Sequence, residues 1–218
     1  MLATICEACI RVSTRTGFRD IRGVTVPNYI PIPGDSADSR AVRTRAEIAS
    51  ALIALMHEKG FDEISVQQIC ERAQVGRSTF YAHFQDKDEL LIRHIVVFGR
   101  VLGGQLAWDQ PLGSYRFPLR GLLEHVRKMQ PVFHSLARAR KLEFIMKVWH
   151  NNIAEVFEQR VQAARGSAST PARIPTMILA QQLAGTLMTL MVWWMDHHYP
   201  LAEHEMERQF HRLIAGLS

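Results

Sequence analysis

Arg77, Ser78, Thr79, Tyr81 and His83 fall in one run of seven residues, and each carries a group that can meet a nucleic acid. An arginine guanidinium can bond O6 and N7 of guanine together, and a serine or threonine hydroxyl can reach a base edge. The threonine methyl can pack on the thymine methyl, while a phenol or imidazole can donate to phosphate oxygens. Lys87 follows closely, and Arg40, Arg43 and Arg45 precede the run in a cluster of their own. Together with the Ser65 hydroxyl, these are candidates for contacts to the phosphate backbone, which position a protein on a duplex without reading its sequence. The Arg40 to Arg45 cluster is equally compatible with an ordinary solvated helix end.

Such side chains read DNA only if a rigid element presents them on one face, and the neighbouring residues encode that element. Ser65 is a good helix cap and Gln68, three residues on, completes a capping box; Ile64 and Ile69 can staple the helix start. Gly76 is a tolerated cap for a second helix beginning near Arg77, with Val75 and Phe80 placed for another staple. Phe80 and Phe84 lie four apart and can anchor one face, leaving Arg77/Tyr81 and Thr79/His83 on exposed faces. The expectation is a helix-turn-helix over residues 65–84. Asp86-Lys87-Asp88-Glu89 opens a further helix with its acids at the positive end of the dipole, and Lys87 is expected there free to meet a phosphate.

A helix, Gly60-Phe61, and then Ser-Val-x-x-Ile-x-x-x-Ala-x-Val-x-x-x-Thr-Phe-Tyr-x-His-Phe-x-x-Lys-x-x-Leu over 65–90 resemble the DNA-binding domain of the tetracycline-repressor (TetR) family. The likeness spans about Arg40 to Leu91 and is strongest over Phe80-Tyr81-Ala82-His83-Phe84 and the spacing to Lys87. It implies an all-α chain: an N-terminal three-helix domain whose third helix enters the major groove, and a C-terminal helical domain for ligand binding and dimerisation. It also implies phosphate contacts at Tyr81 and Lys87. Two positions depart from the pattern, Gln74 for the usual turn glycine and Gly76 for a serine or asparagine cap. A left-handed glutamine costs about 1 kcal/mol and the missing cap a few tenths, so neither prevents folding.

The rest of the chain sets the boundaries. Its 218 residues suffice for one small and one mid-sized domain, with 40–91 expected as the DNA-binding domain and 92–218 as the regulatory and dimerisation domain. The net charge of +5 does not locate the DNA-binding end: residues 40–91 hold seven Lys/Arg against eight Asp/Glu, whereas 92–218 hold fifteen against nine. What counts is which side chains project. Residues 1–39, rich in proline and glycine and without helical periodicity, read as a disordered extension that lacks a secretory signal. Cys6 and Cys9 form a lone Cys-x-x-Cys, weak as a metal site, and Cys70 suits packing in the second helix; three cysteines fit a reducing cytoplasm. No metal or cofactor is implied. There is no phosphate-cradling glycine loop, nucleophile elbow or HExxH sequence, and His197, His198, His204 and His211 lack partners at ligand spacing, so an enzyme is not expected.

Beyond Leu91, helices are expected over 87–106, from Pro118 to Gln130, through a short segment after Pro131, over 142–164, near 174–199 and over 201–217, with a loop through Asp109, Pro111 and Gly113. The stretch from Ile174 to Met195 has no charge and approaches membrane-spanning length, but Gln181 and Gln182 interrupt it and an amphipathic helix follows. A helix apolar all round also suits a chain facing its own core on one side and a twin subunit on the other. The helices near 175–198 and 201–217 resemble the pair that forms the family's homodimer interface. The resemblance implies a cytoplasmic homodimeric repressor, holding two recognition helices roughly 34–36 Å apart on a near-palindromic double-stranded operator. A small apolar or aromatic effector would release it. Phe98, Leu102, Phe144, Trp149 and Trp194 could line an effector pocket but suit ordinary core as well, so no effector site is assigned. The competing readings are a scaffold of this shape serving protein partners and a membrane anchor at 174–199.

Overall fold

The computed structural model describes residues 18–19, 25–26, 39–109, 114–166 and 174–215, and among these the chain is helical with little strand. Short strands β1 (Phe18–Arg19) and β2 (Thr25–Val26) pair antiparallel; the remainder of the expected N-terminal extension, with Cys6 and Cys9, lies outside the described residues. Two compact units follow from the packing. The first runs through Phe98 and includes Lys128–Ile145, and the second comprises Gly99–Arg127 and the chain from Met146 onward.

In the first unit, helix α1 (Ser39–Glu58) buries Ile48, Leu52, Ile53, Leu55 and Met56 at helical spacing, and a 3-10 turn, Phe61–Glu63, inserts the Phe61 ring beneath it. Helix α2 (Val66–Ala73) starts on a capping box, with the Gln68 N–H donating to Ser65 Oγ (3.2 Å) and the Ser65 N–H to Gln68 Oε1 (3.0 Å). It ends at Gln74, whose φ of 55° reverses the chain. Helix α3 (Arg77–Tyr81) follows from Gly76, which has no side chain to cap it. Helix α4 (Lys87–Gly103) begins in this unit. The core gathers Phe61, Ile69, Cys70, Phe80, Phe84, Leu90 and Leu91, and takes in Val132 and Leu136 from α6 (Gln130–Arg138) and Ile145 from the start of α7 (Leu142–Arg165). Truncating a fully buried phenylalanine such as Phe61 or Phe80 to alanine costs about 3–5 kcal/mol, so these rings hold the short helices in place. Pro131 opens α6 where its missing N–H is harmless, after a break at Met129.

The second unit packs α5 (Leu119–Lys128), most of α7, α8 (Thr176–Asp196) and α9 (Glu203–Ala215). Phe117 sets its ring against Phe157 and Phe210, and Trp194 is fully buried with its indole N–H on the Leu201 carbonyl at 2.8 Å. Arg127 lies over the rings of Trp194 and Tyr199 and pairs with Glu203 at 2.6 Å, which closes the turn between α8 and α9.

Some elements differ from the sequence reading. Instead of a plain loop through Asp109, strands β3 (Ala107–Asp109) and β4 (Ser114–Arg116) pair antiparallel, stabilised across the strands by the Trp108–Tyr115 ring contact and the Arg116–Asp109 ion pair. Pro118 precedes α5 rather than opening it, because the Leu119 N–H turns back to the Phe117 carbonyl. On α9, Met206, Phe210 and Ile214 are buried as expected of an amphipathic helix, but Leu213 is 56 % exposed. Helix α8 is long and apolar enough to cross a membrane, yet its row Leu179, Leu183, Leu187, Met191 and Trp194 is core.

Candidate nucleic-acid interface

Helix α3 exposes Arg77, Ser78 and Tyr81, while Thr79 is half-buried and Phe80 is wholly inside. Tyr81 stands out at 51 % exposure, its ring held edge-on to Phe80 at 5.4 Å, so the phenol is aimed by the core side chain beside it. Past Tyr81 the helix tightens into a turn: the Ala82 N–H still makes the helical bond to Ser78, but the His83 N–H turns back only three residues, to Phe80. His83 therefore sits half-buried in the turn, its ring edge-on to Phe84 at 6.3 Å.

Electrostatics sort the cations. Arg77 is exposed and has no side-chain partner among the described residues, so its guanidinium is available. Arg43 pairs loosely with Glu47 at 3.8 Å, both half in solvent, which a phosphate can replace at little cost. Arg45 is half-buried and already engaged within the protein, and Arg40 is exposed. Arg72, which the sequence reading passed over, is held by Glu58 at 2.8 Å, an arrangement that lowers the Glu58 carboxyl below its ordinary range. The Ser65 hydroxyl accepts the Gln68 N–H as a cap and remains exposed.

Lys87 departs from expectation. Its ammonium is not free: it donates to the carbonyls of Phe61 (2.8 Å), Ile64 (2.8 Å) and Asp62 (3.4 Å), and lies 4.7 Å from the centre of the Phe61 ring. These partners are 23 to 26 residues away in sequence, so no local pattern could have disclosed them. The helix cap beside it forms as expected, with the Glu89 N–H on Asp86 Oδ1 (2.8 Å), although Glu89 reaches back to the Gln85 N–H rather than to that of Asp86.

Residues 48–93 match the family model described as bacterial regulatory proteins, tetR family. That stretch of the chain is thus a TetR-type DNA-binding head. The chain is 38% identical over 52 residues to the dhaKLM operon transcriptional activator DhaS of Lactococcus lactis, a match covering 24% of this chain and 28% of that protein. It is 29% identical over 84 residues to the HTH-type transcriptional regulator YuxN of Bacillus subtilis, covering 36% and 29%. The chain thus matches less than a third of the length of these curated relatives. Among solved structures, the dihydroxyacetone kinase operon activator DhaS superposes with a TM-score of 0.56 at 18% identity, over 80% of this chain and 95% of that one. A TetR-family regulator from Syntrophomonas wolfei gives 0.54 at 15%, over 80% and 94%. These likenesses establish the all-α fold, and the family is one of DNA-binding transcriptional regulators, not enzymes.

Two further features concern ligands. Leu102, Trp149 and Trp194 are buried in the second unit, whereas Phe98 and Phe144 belong to the first, where Phe144 is 56 % exposed. An open groove of about 320 Å³ in the first unit is lined by His57, Lys59, His134 and Arg138, with Met56 and Pro131. No cluster of three or more His, Cys, Asp or Glu suited to a metal occurs among the described residues.

Proposed function

We propose that this chain is a cytoplasmic homodimeric repressor that reads a near-palindromic operator and leaves it when a small apolar or aromatic effector binds the C-terminal helices. The observation that carries the DNA reading is the exposed row Arg77, Ser78 and Tyr81 on a short helix anchored by Phe80, with Thr79 and His83 at its flanks. Arg77 reads a base edge, Tyr81 and Arg43 hold phosphates, and Ser78, Thr79 and Ser65 are placed for shorter hydrogen bonds to base edges or backbone. DNA reading falls to the first unit, which extends the expected 40–91 domain through Phe98 and takes in Lys128–Ile145, and regulation and dimerisation fall to the second.

Dimerisation is supported by the outer face of α8, where Ile178, Gly185, Val192 and Trp193 lie away from the buried row, and by exposed Leu213 on α9. A small residue in the middle of an apolar face allows a twin helix to approach closely. A partner on that face, rather than a membrane, also accounts for Gln181 and Gln182 outside the core.

The test is fluorescence-anisotropy binding of the full chain to a labelled duplex from upstream of its own gene, against a scrambled duplex, at 50 and 200 mM salt. Specific binding that persists at the higher salt is expected, with Arg77→Ala losing about 10-fold or more on the upstream duplex and less on the scrambled one. Equal losses on both duplexes refute the base-reading role of Arg77. A promoter-reporter measurement gives the sign of regulation, since the curated relative DhaS is an activator.

A further inference from the structure

We propose that Lys87 is an internal positioning residue that sets the helix-turn-helix for DNA, and that it makes no phosphate contact of its own. This assignment rests on the reading of the head as a DNA binder.

An ammonium has three donors, and three carbonyls surround this one. They belong to Phe61, Asp62 and Ile64, the exit of the 3-10 turn, where the carbonyl ends of the backbone dipoles favour a cation. The Phe61 carbonyl also accepts the Ile64 N–H at 3.2 Å, so its two lone pairs are both used. Ile64 is followed directly by Ser65, the cap of α2. Lys87 is the first residue of α4. The tie therefore fixes the start of α4 to the entry of the reading motif, at a point where neither segment has a regular backbone ladder.

A second fastening lies beside the first. Lys141, from the segment 128–145 of the same unit, pairs with Asp88 at 2.6 Å and lies 5.5 Å from the Phe61 ring centre. Phe61 thus has a cation from each of two segments near its ring, and the first turn of α4 is held at both Lys87 and Asp88. Any displacement of that turn must open the carbonyl cage or carry residues 61–64, and with them the cap of α2. A phosphate could recruit the ammonium only by taking it from the carbonyls.

The experiment compares the full-length wild type, Lys87→Met and Lys87→Arg. Each is melted, and each is titrated at 15 °C from 50 to 200 mM salt against a labelled 30-bp duplex selected by the wild type from a random pool and against an unselected random duplex. For Lys87→Met the expected results are a Tm lower by about 5 °C or more, about 10-fold or more loss on the selected duplex, and an unchanged slope of log affinity against log salt on both. Lys87→Arg is expected to share the defect, because a planar guanidinium does not fit three converging carbonyls.

A slope shallower by about 0.9 in Lys87→Met, with recovery in Lys87→Arg, identifies a phosphate contact and overturns the proposal. A lower Tm with full affinity for the selected duplex shows a merely structural tie and overturns it too. If the wild type selects no duplex over random DNA, the DNA reading itself fails and the assignment with it, whatever the melts show.

Discussion

Replacing Gln74 by glycine should stabilise the head. The residue occupies the left-handed region at φ 55° and ψ 41°, which costs an L side chain about 1–2 kcal/mol relative to ordinary helical geometry. Its backbone is spoken for: the Gln74 N–H reaches the Cys70 and Glu71 carbonyls, and the Val75 N–H reaches Cys70 at 3.0 Å. Its side chain is exposed and has no partner among the described residues, so nothing is lost with it. Glycine gives back about 0.5–1 kcal/mol in unfolded-state entropy, which leaves a gain of about 0.5–1 kcal/mol. For a chain of this length that is about 1–4 °C in Tm. Thermal melts followed by circular dichroism measure it, with Gln74→Ala as the control, since alanine keeps the left-handed cost and should change Tm by less than about 1 °C. A glycine variant that melts below the wild type, or no higher than the alanine variant, refutes the reasoning.

Other outcomes follow from particular contacts. A methyl group at Gly99 would stand 2.4 Å from Asn152 Oδ1 and 3.0 Å from Trp149 Cδ1, so Gly99→Ala should destabilise by about 1–3 kcal/mol in urea titrations despite alanine's better helix propensity, and Asn152→Ala in the same chain should recover part of the loss. Burial pushes the His94 imidazole down to about 4, and burial likewise lowers His57 and His211. A histidine kept neutral in the fold contributes stability that is complete above its unfolded pKa of 6.5 and is lost as pH falls toward 4. Unfolding free energy should therefore drop between pH 7 and pH 5, by about 2 kcal/mol at most for His94, which keeps part of its solvent exposure, and His94→Gln should flatten that profile. Val192→Arg, placed on the exposed face of α8, should shift the chain from dimer to monomer in light scattering after gel filtration without lowering its helix content.

The reading motif was legible because its signals are local. The Ser65–Gln68 box, the turn at Gln74 and the Phe80/Phe84 anchors each depend on residues within about five positions, and backbone hydrogen bonding forces the same outcome wherever that pattern occurs. The apolar stripes of α7 and α9 and the long uncharged run of α8 announced helices for the same reason. The β3–β4 pair was hidden because three-residue strands carry no periodicity to detect.

Charge was legible only as composition. That Lys87 faces three carbonyls, that Arg72 answers Glu58 and that Lys141 answers Asp88 depends on where separate segments come to rest. The same is true of α6, whose Val132 and Leu136 join the core of the first unit although they follow α5 of the second. The sequence by itself determined the helices, their caps and the short run that supplies the candidate DNA contacts, because those follow from short-range hydrogen bonding and the spacing of apolar side chains. Which cations remain free for DNA was decided only by the tertiary structure, because a lysine or arginine pairs with whatever oxygen the fold brings within reach, and a chain written in one dimension does not say which oxygen that is.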